Sequence, residues 1–182
     1  MTYIALLRGI NVGGKHIIKM AELRFLLSGL GFGDIQTYIQ SGNIILQSDL
    51  ATNEIKSRLE AGIESRFGFF VPVILRSQKA LGALISGLPF AQEDIACADA
   101  ASEAVSLYGA LFDQAPAPEK IKALLPYCHE EERLIIYGAD AYLLLHQGVR
   151  NSPLVQKLDG LGSYTMRNWN TLCRLYDMAQ KG

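Results

Sequence analysis

The residues best equipped for chemistry lie in Gly9-Ile10-Asn11-Val12-Gly13-Gly14-Lys15, which satisfies the phosphate-loop pattern G-x-x-x-x-G-K. Such loops need glycines so that backbone N–H groups can converge on a phosphate, and a lysine to meet its charge. The next residue is His16, so the hydroxyl that would hold Mg²⁺ is missing, and His16-Ile17-Ile18 delays the following helix. Asp49 is the nearest imitation of a second Mg²⁺ ligand, and nucleoside-triphosphate hydrolysis is not expected. What the loop does offer is a local basic patch, Arg8, Lys15 and Lys19 with the Asn11 amide beside them, suited to a phosphate or carboxylate. The alternative is a solvated connection in which Gly13 and Gly14 serve backbone shape alone.

A second candidate is Arg167-Asn168-Trp169-Asn170-Thr171, at the start of the last helix. A helix N-terminus with an arginine, amides and a hydroxyl suits an anion, and Trp169 could stack on a base or sugar. Against this stand ordinary capping by Asn168 and burial of Trp169. Gln40-Ser41-Gly42-Asn43 is read first as a turn. His16, His129 and His146 are scattered, Cys128 and His129 are strand neighbours with opposed side chains, and no spacing suits a metal. No cofactor is expected, and no residue can be assigned a catalytic role.

The elements that must position these residues follow from periodicity. Tyr3–Arg8 is a compact apolar run, and Leu23, Leu26, Leu27 and Leu30 give a helix over 20–30. Strands at 35–40 and 43–47 flank Ser41-Gly42, a second helix runs over 52–67 with Gly68 as its stop, and a strand covers 71–75. A helix follows at 77–86. The alanine-rich, acidic stretch 89–103 reads as a connector. Beyond it come a strand at 104–112, a helix at 119–125 led by Pro118, a hairpin of 133–137 and 141–146, and a helix opened by Ser152-Pro153. A short strand at 163–167 precedes the final helix, whose Trp169, Leu172, Leu175, Tyr176 and Ala179 share one face.

These orders predict an α+β fold: two ferredoxin-like, split βαβ halves with antiparallel sheets plus a C-terminal helix. The divisions are 1–88, a connector at 89–103, and 104–182. Ile4-Ala5-Leu6-Leu7 and Ile44-Ile45-Leu46 are apolar at consecutive positions, which predicts strands buried on both faces. Leu6 and Ile45 should be almost fully buried, with the helix-free sheet face covered inside the chain or by a second subunit.

At 182 residues the chain can bury about 70% of its extended surface. With 17 basic against 18 acidic residues there is no global field toward nucleic acid or anionic membrane, so binding to either would need a local patch. No apolar run approaches a membrane span, no signal segment is read at the N-terminus, and three widely spaced cysteines fit a reducing compartment. A cytoplasmic protein is expected, with no membrane and no strong nucleic-acid signal.

Three segments, Tyr3–Lys15, Thr37–Asn43 and Thr165–Thr171, closely resemble the bacterial family described as domain of unknown function 1697. The resemblance spans nearly the whole chain and implies an α/β fold with ferredoxin-like elements and no assigned reaction. The functional expectation is a binding protein for an anionic small molecule or nucleotide, held by Arg8, Asn11, Gly13, Gly14, Lys15, Lys19, Arg167, Asn168, Trp169 and Asn170. Two alternatives stay open: an enzyme acting on a phosphorylated or carboxylated metabolite at the same loops, and a homo-oligomeric assembly protein without a ligand.

Overall fold

The structure is a computed structural model that describes residues 1–181. The chain divides into two compact units, Met1–Ala83 together with the residues from Cys173 onward, and Leu84–Leu172. The first contains β1 (Thr2–Leu7), α1 (Met20–Gly29), β2 (Gly33–Tyr38), β3 (Asn43–Gln47), α2 (Thr52–Phe67) and β4 (Val73–Ser77). Its sheet has the order β2-β3-β1-β4, every neighbouring pair antiparallel, which is the split βαβ arrangement.

Alternation along β1 explains how the sheet is used. Tyr3, Ala5 and Leu7 point with Ile44, Leu46 and Val73 into a core closed by Leu23 and Leu27 of α1 and by Ile55, Leu59 and Ile63 of α2. The alternate residues face the other way and are buried as well, Leu6 at 0% exposure and Ile45 at 2%. Consecutive apolar positions thus mark a doubly buried sheet, and that burial is complete in a single copy of the chain. The helix α2 ends where the sequence places its stop, with Gly68 in the left-handed region (φ 79°) and its N–H bonded to the Glu64 carbonyl.

After α3 (Gln78–Ser86) and α4 (Gln92–Ala101), the second unit repeats the scheme. It contains β5 (Leu107–Phe112), α5 (Pro118–Lys122), β6 (Glu132–Tyr137), β7 (Asp140–Leu145), α6 (Pro153–Lys157) and β8 (Tyr164–Asn168), and α7 (Trp169–Ala179) follows. The sheet order is β6-β7-β5-β8, again antiparallel, and Ala110, Phe112, Leu143 and Leu145 pack against Leu154, Leu158 and Leu161. Ser152 caps α6 as its position predicts, its hydroxyl oxygen accepting from Val155 N–H at 3.0 Å and its O–H donating to the buried Glu132 carboxylate at 2.7 Å. The two halves share strand order as well as element order.

Several boundaries differ from the sequence reading. Stretch 89–103, read as a connector, contains the ten-residue helix α4, with Ile95 and Ala98 buried. The strand expected at 35–40 runs instead from Gly33 to Tyr38, because Ile39 turns off at φ 49°. The strand expected at 71–75 starts at Val73, since Pro72 has no N–H for the ladder and uses its carbonyl to accept from Arg8 N–H at 3.0 Å. The strand expected from 104 begins at Leu107, and the helix expected at 119–125 is α5 followed by a separate 3₁₀ turn at Leu125–Tyr127. Among the described residues no helix is long and apolar enough to cross a membrane.

Candidate functional site

The glycine-rich loop is a small hairpin rather than a phosphate cradle. Val12 and Lys15 form an antiparallel bridge, the Lys15 N–H donates to the Val12 carbonyl at 3.1 Å, and Gly13 and Gly14 turn the chain at φ 59° and 73°. Two consecutive positive φ values define the mirror-image turn that glycine enters without steric cost. The Lys15 amide is therefore spent inside the loop. The helix α1 starts only at Met20, as the intervening His16-Ile17-Ile18 implies.

Asn11 is the clasp of this region. Its Oδ1 accepts from Ile18 N–H at 2.9 Å, and its Nδ2 donates to the Ile18 carbonyl at 3.0 Å and to the Gln40 carbonyl at 2.7 Å. One amide thereby closes the loop and ties it to the turn 39–42, at φ 54°, which asparagine tolerates better than most residues. His16 stacks on Phe69 with ring centroids 4.5 Å apart and approaches the Gly9 carbonyl through Nδ1 at 3.3 Å. Gly42 is close-packed: a Cβ there would lie 2.6 Å from Leu7 Cβ and 2.8 Å from Ile10 Cδ1. Gln40-Ser41-Gly42-Asn43 is thus explained by packing and by Asn43, fully buried and bonded to the Tyr38 carbonyl and Ser41 hydroxyl.

These contacts bring three loops, 8–19, 39–42 and 68–72, to one end of the first sheet. Lys15 and Lys19 are exposed there and Arg8 is half-buried; Lys19 lies 3.8 Å from Glu22 on the first turn of α1. None of the three loops contains a carboxylate.

In the second unit, Asn168 caps α7, its Oδ1 accepting from Thr171 N–H at 2.8 Å. Arg167 donates to Thr165 Oγ1 at 2.8 Å and to the Met166 carbonyl at 3.0 Å, and burial pulls the pKa of its guanidinium down to about 10. Trp169 is half-buried, its ring 6.0 Å from that of Tyr142. With Asn170, Gln92, Asp99 and Ser106 it lines a cleft of about 230 Å³. Arg8, Asn11, Gly13, Gly14, Lys15 and Lys19 belong to the first unit, and Arg167, Asn168, Trp169 and Asn170 to the second.

A larger cleft, about 560 Å³, has no counterpart in the sequence reading. Asp94 and Cys97, one turn apart on α4, face His129, Glu130 and Arg133 at the entry to β6 and His146 at the exit of β7. Antiparallel pairing gathers the two histidines, since His129 and Glu132 form a bridge and His146 N–H donates to the Glu131 carbonyl at 3.0 Å. Arg133 is fixed by Asp94 at 2.6 Å and lies 4.9 Å over the Phe90 ring. The volume suits a small molecule. Among the described residues no three His, Cys, Asp or Glu side chains are grouped to hold a metal ion. The only sequence signal was the register of the β6–β7 hairpin, which places 129 and 146 at the same end.

Three comparisons bear on relationship. No curated protein matches the chain. A solved structure, that of a conserved bacterial protein from Streptococcus pneumoniae, is similar with a TM-score of 0.69 and 21% identity, covering 98% of each chain, which shows the shared fold. The family model described as "Protein of unknown function (DUF1697)" matches residues 1–142, more than three quarters of the sequence, from β1 into β7, and the chain belongs to that family.

Proposed function

We propose that the protein is a cytoplasmic binding protein for an anionic ligand, a phosphate- or carboxylate-bearing small molecule or nucleotide, engaged at the loop end of the first unit. The supporting observation is the charge asymmetry there: Arg8, Lys15 and Lys19 on the 8–19 loop that Asn11 clasps, with no carboxylate in any of the three converging loops. Rigid placement lowers the ordering cost of binding, and clustered cations hold a dianion better than one exposed lysine does. The Gly13-Gly14 turn holds Lys15 outward. Arg167, Asn168, Trp169 and Asn170, at the α7 start in the second unit, are a separate candidate set for an anion within that unit.

The test is calorimetric titration with inorganic phosphate, pyrophosphate and a nucleotide panel at two salt concentrations. Binding weakened by salt and by Lys15→Ala, with thermal unfolding unchanged, is the expected result. No anion binding at low salt would end the proposal.

A second reading, an enzyme, is favoured by the 560 Å³ cleft, which supplies what the glycine loop lacks: two imidazoles and a thiol beside a fixed guanidinium. Histidine is the ordinary acid–base group near neutral pH. Turnover of a phosphorylated or carboxylated metabolite that disappears in His146→Gln, with anion binding at the loops intact, would favour this reading over simple binding. The homo-oligomer reading is checked by sedimentation of the free chain.

A further inference from the structure

The loop end of the first unit carries more than charge. Val12 is 69% exposed, Ile17 56%, Ile39 51% and Phe70 53%, so each of the three loops that meet there turns a large apolar side chain into water. They share the loop end because Asn11 bonds the 39–42 turn and His16 stacks on Phe69. Single exposed apolar residues need no explanation, but four on three loops that meet at one end of a sheet are a local concentration of exposed apolar surface. Ile39 makes the point sharper. It holds φ 49°, a region that costs a β-branched residue about 1–2 kcal/mol, while half of its side chain remains in water. Glycine or asparagine would satisfy that turn at lower cost, so the isoleucine is not explained by folding.

The shape and charge of this surface select its occupant. In the Val12–Lys15 hairpin, Val12 and Lys15 are partners across the bridge and both are exposed. Lysine and arginine beside exposed apolar groups satisfy two phases at once: the apolar groups enter acyl chains while the cationic heads stay at the level of the phosphates. Glu22 does not reverse the field, because it lies 3.8 Å from Lys19 and 4.0 Å from Arg66. The chain as a whole has no net charge that would draw it to a membrane, and this end supplies the local patch that such binding requires.

We infer that the anionic partner of the loop end is a phospholipid surface, on which Val12, Ile17, Ile39 and Phe70 insert while Arg8, Lys15 and Lys19 meet the headgroups. This rests on the anionic-ligand reading above and narrows it to one source of phosphate. Nucleic acid fits less well, since only Phe70 of the four exposed apolar side chains is an aromatic ring and the other three are aliphatic and offer bases nothing to stack on.

The test is co-sedimentation of the full chain with phosphatidylcholine vesicles and with vesicles containing phosphatidylserine, alongside soluble glycerophosphoserine and a single-stranded RNA. The expected result is binding to the anionic vesicles alone among the lipids, weakened by salt. Lys15→Ala should reduce it roughly fivefold, the equivalent of about 1 kcal/mol per basic residue near an anionic surface. The pair Ile17→Ser and Phe70→Ser, both on exposed positions, should reduce vesicle binding roughly tenfold, since about half of each apolar side chain is left to bury, and leave binding of soluble anions unchanged. Soluble anions binding without vesicles would overturn the lipid assignment and leave the anionic-ligand reading standing. Binding to RNA in preference to vesicles would also overturn it. Binding to neither vesicles nor soluble anions would remove both.

Discussion

Asn11 stands at the centre of the most distinctive loop, and its three hydrogen bonds turn its role into a measurable quantity. Asn11→Gly keeps access to φ 54° while deleting the acceptor for Ile18 N–H and the donors to the Ile18 and Gln40 carbonyls. Bonds of this kind contribute about 1 kcal/mol each, less where partly exposed, so the loss should be about 2 kcal/mol. Asn11→Ala adds the cost of a left-handed conformation, about 1 kcal/mol more. Asn11→Asp tests the polarity of the site, because it keeps the acceptor but sets a carboxyl against two carbonyl oxygens. That arrangement raises the folded-state pKa of the introduced carboxyl above its unfolded value of about 3.9. Its stability contribution is then present below about pH 4 and lost as pH rises through the higher folded value, so the variant should be weaker at pH 7 than at pH 4 relative to the parent. Urea unfolding gives the free energies, and amide exchange at Ile18 reports the clasp directly. A change below about 0.5 kcal/mol in Asn11→Gly, with Ile18 exchange unaltered, would refute the structural role and return the side chain to the ligand-binding set.

Gly42→Ala should cost about 2–4 kcal/mol, combining a positive φ with a Cβ 2.6 Å from Leu7 Cβ, whereas Gly13→Ala, with nothing within 4 Å, should cost about 1 kcal/mol; equal unfolding midpoints would deny the packing difference. Native protein at pH 8 should be alkylated by iodoacetamide at Cys97, which is exposed, well before Cys128 and Cys173, whose thiols burial pushes up, with Glu132 and Asp177 adding to the shift; mass spectrometry after brief exposure decides this. Because those two thiols are raised in the folded state, they favour the native state below their ordinary pKa, and the advantage fades as pH climbs through the folded values, so unfolding should become easier under alkaline conditions.

Local chemistry was legible in the sequence wherever a residue acts on its immediate neighbours. Gly68 ends α2 because only a residue free at positive φ closes the helix that way, and Ser152-Pro153 opens α6 because a hydroxyl and a fixed φ suit that position. Consecutive apolar residues in β1 and β3 announced burial on both faces, since water would tolerate alternation but not continuity. The order of these elements was enough for the split βαβ plan of both halves. The helix α4 escaped notice because its only buried residues are Ile95 and Ala98, too few for a periodic signal, although alanine is the strongest helix former.

What the tertiary structure decided were the relations between distant residues. Whether Gly13-Gly14 cradles a phosphate or turns a hairpin depends on where Lys15 N–H goes, and whether Asn11 is a ligand or a clasp depends on the Gln40 carbonyl 29 residues away. His129 and His146 looked scattered because sheet register, not spacing along the chain, brings them to one cleft, where the packing of α4 adds Asp94. Sequence periodicity reports which face of an element is apolar; it contains no information on which carbonyl or carboxylate the fold will carry into reach.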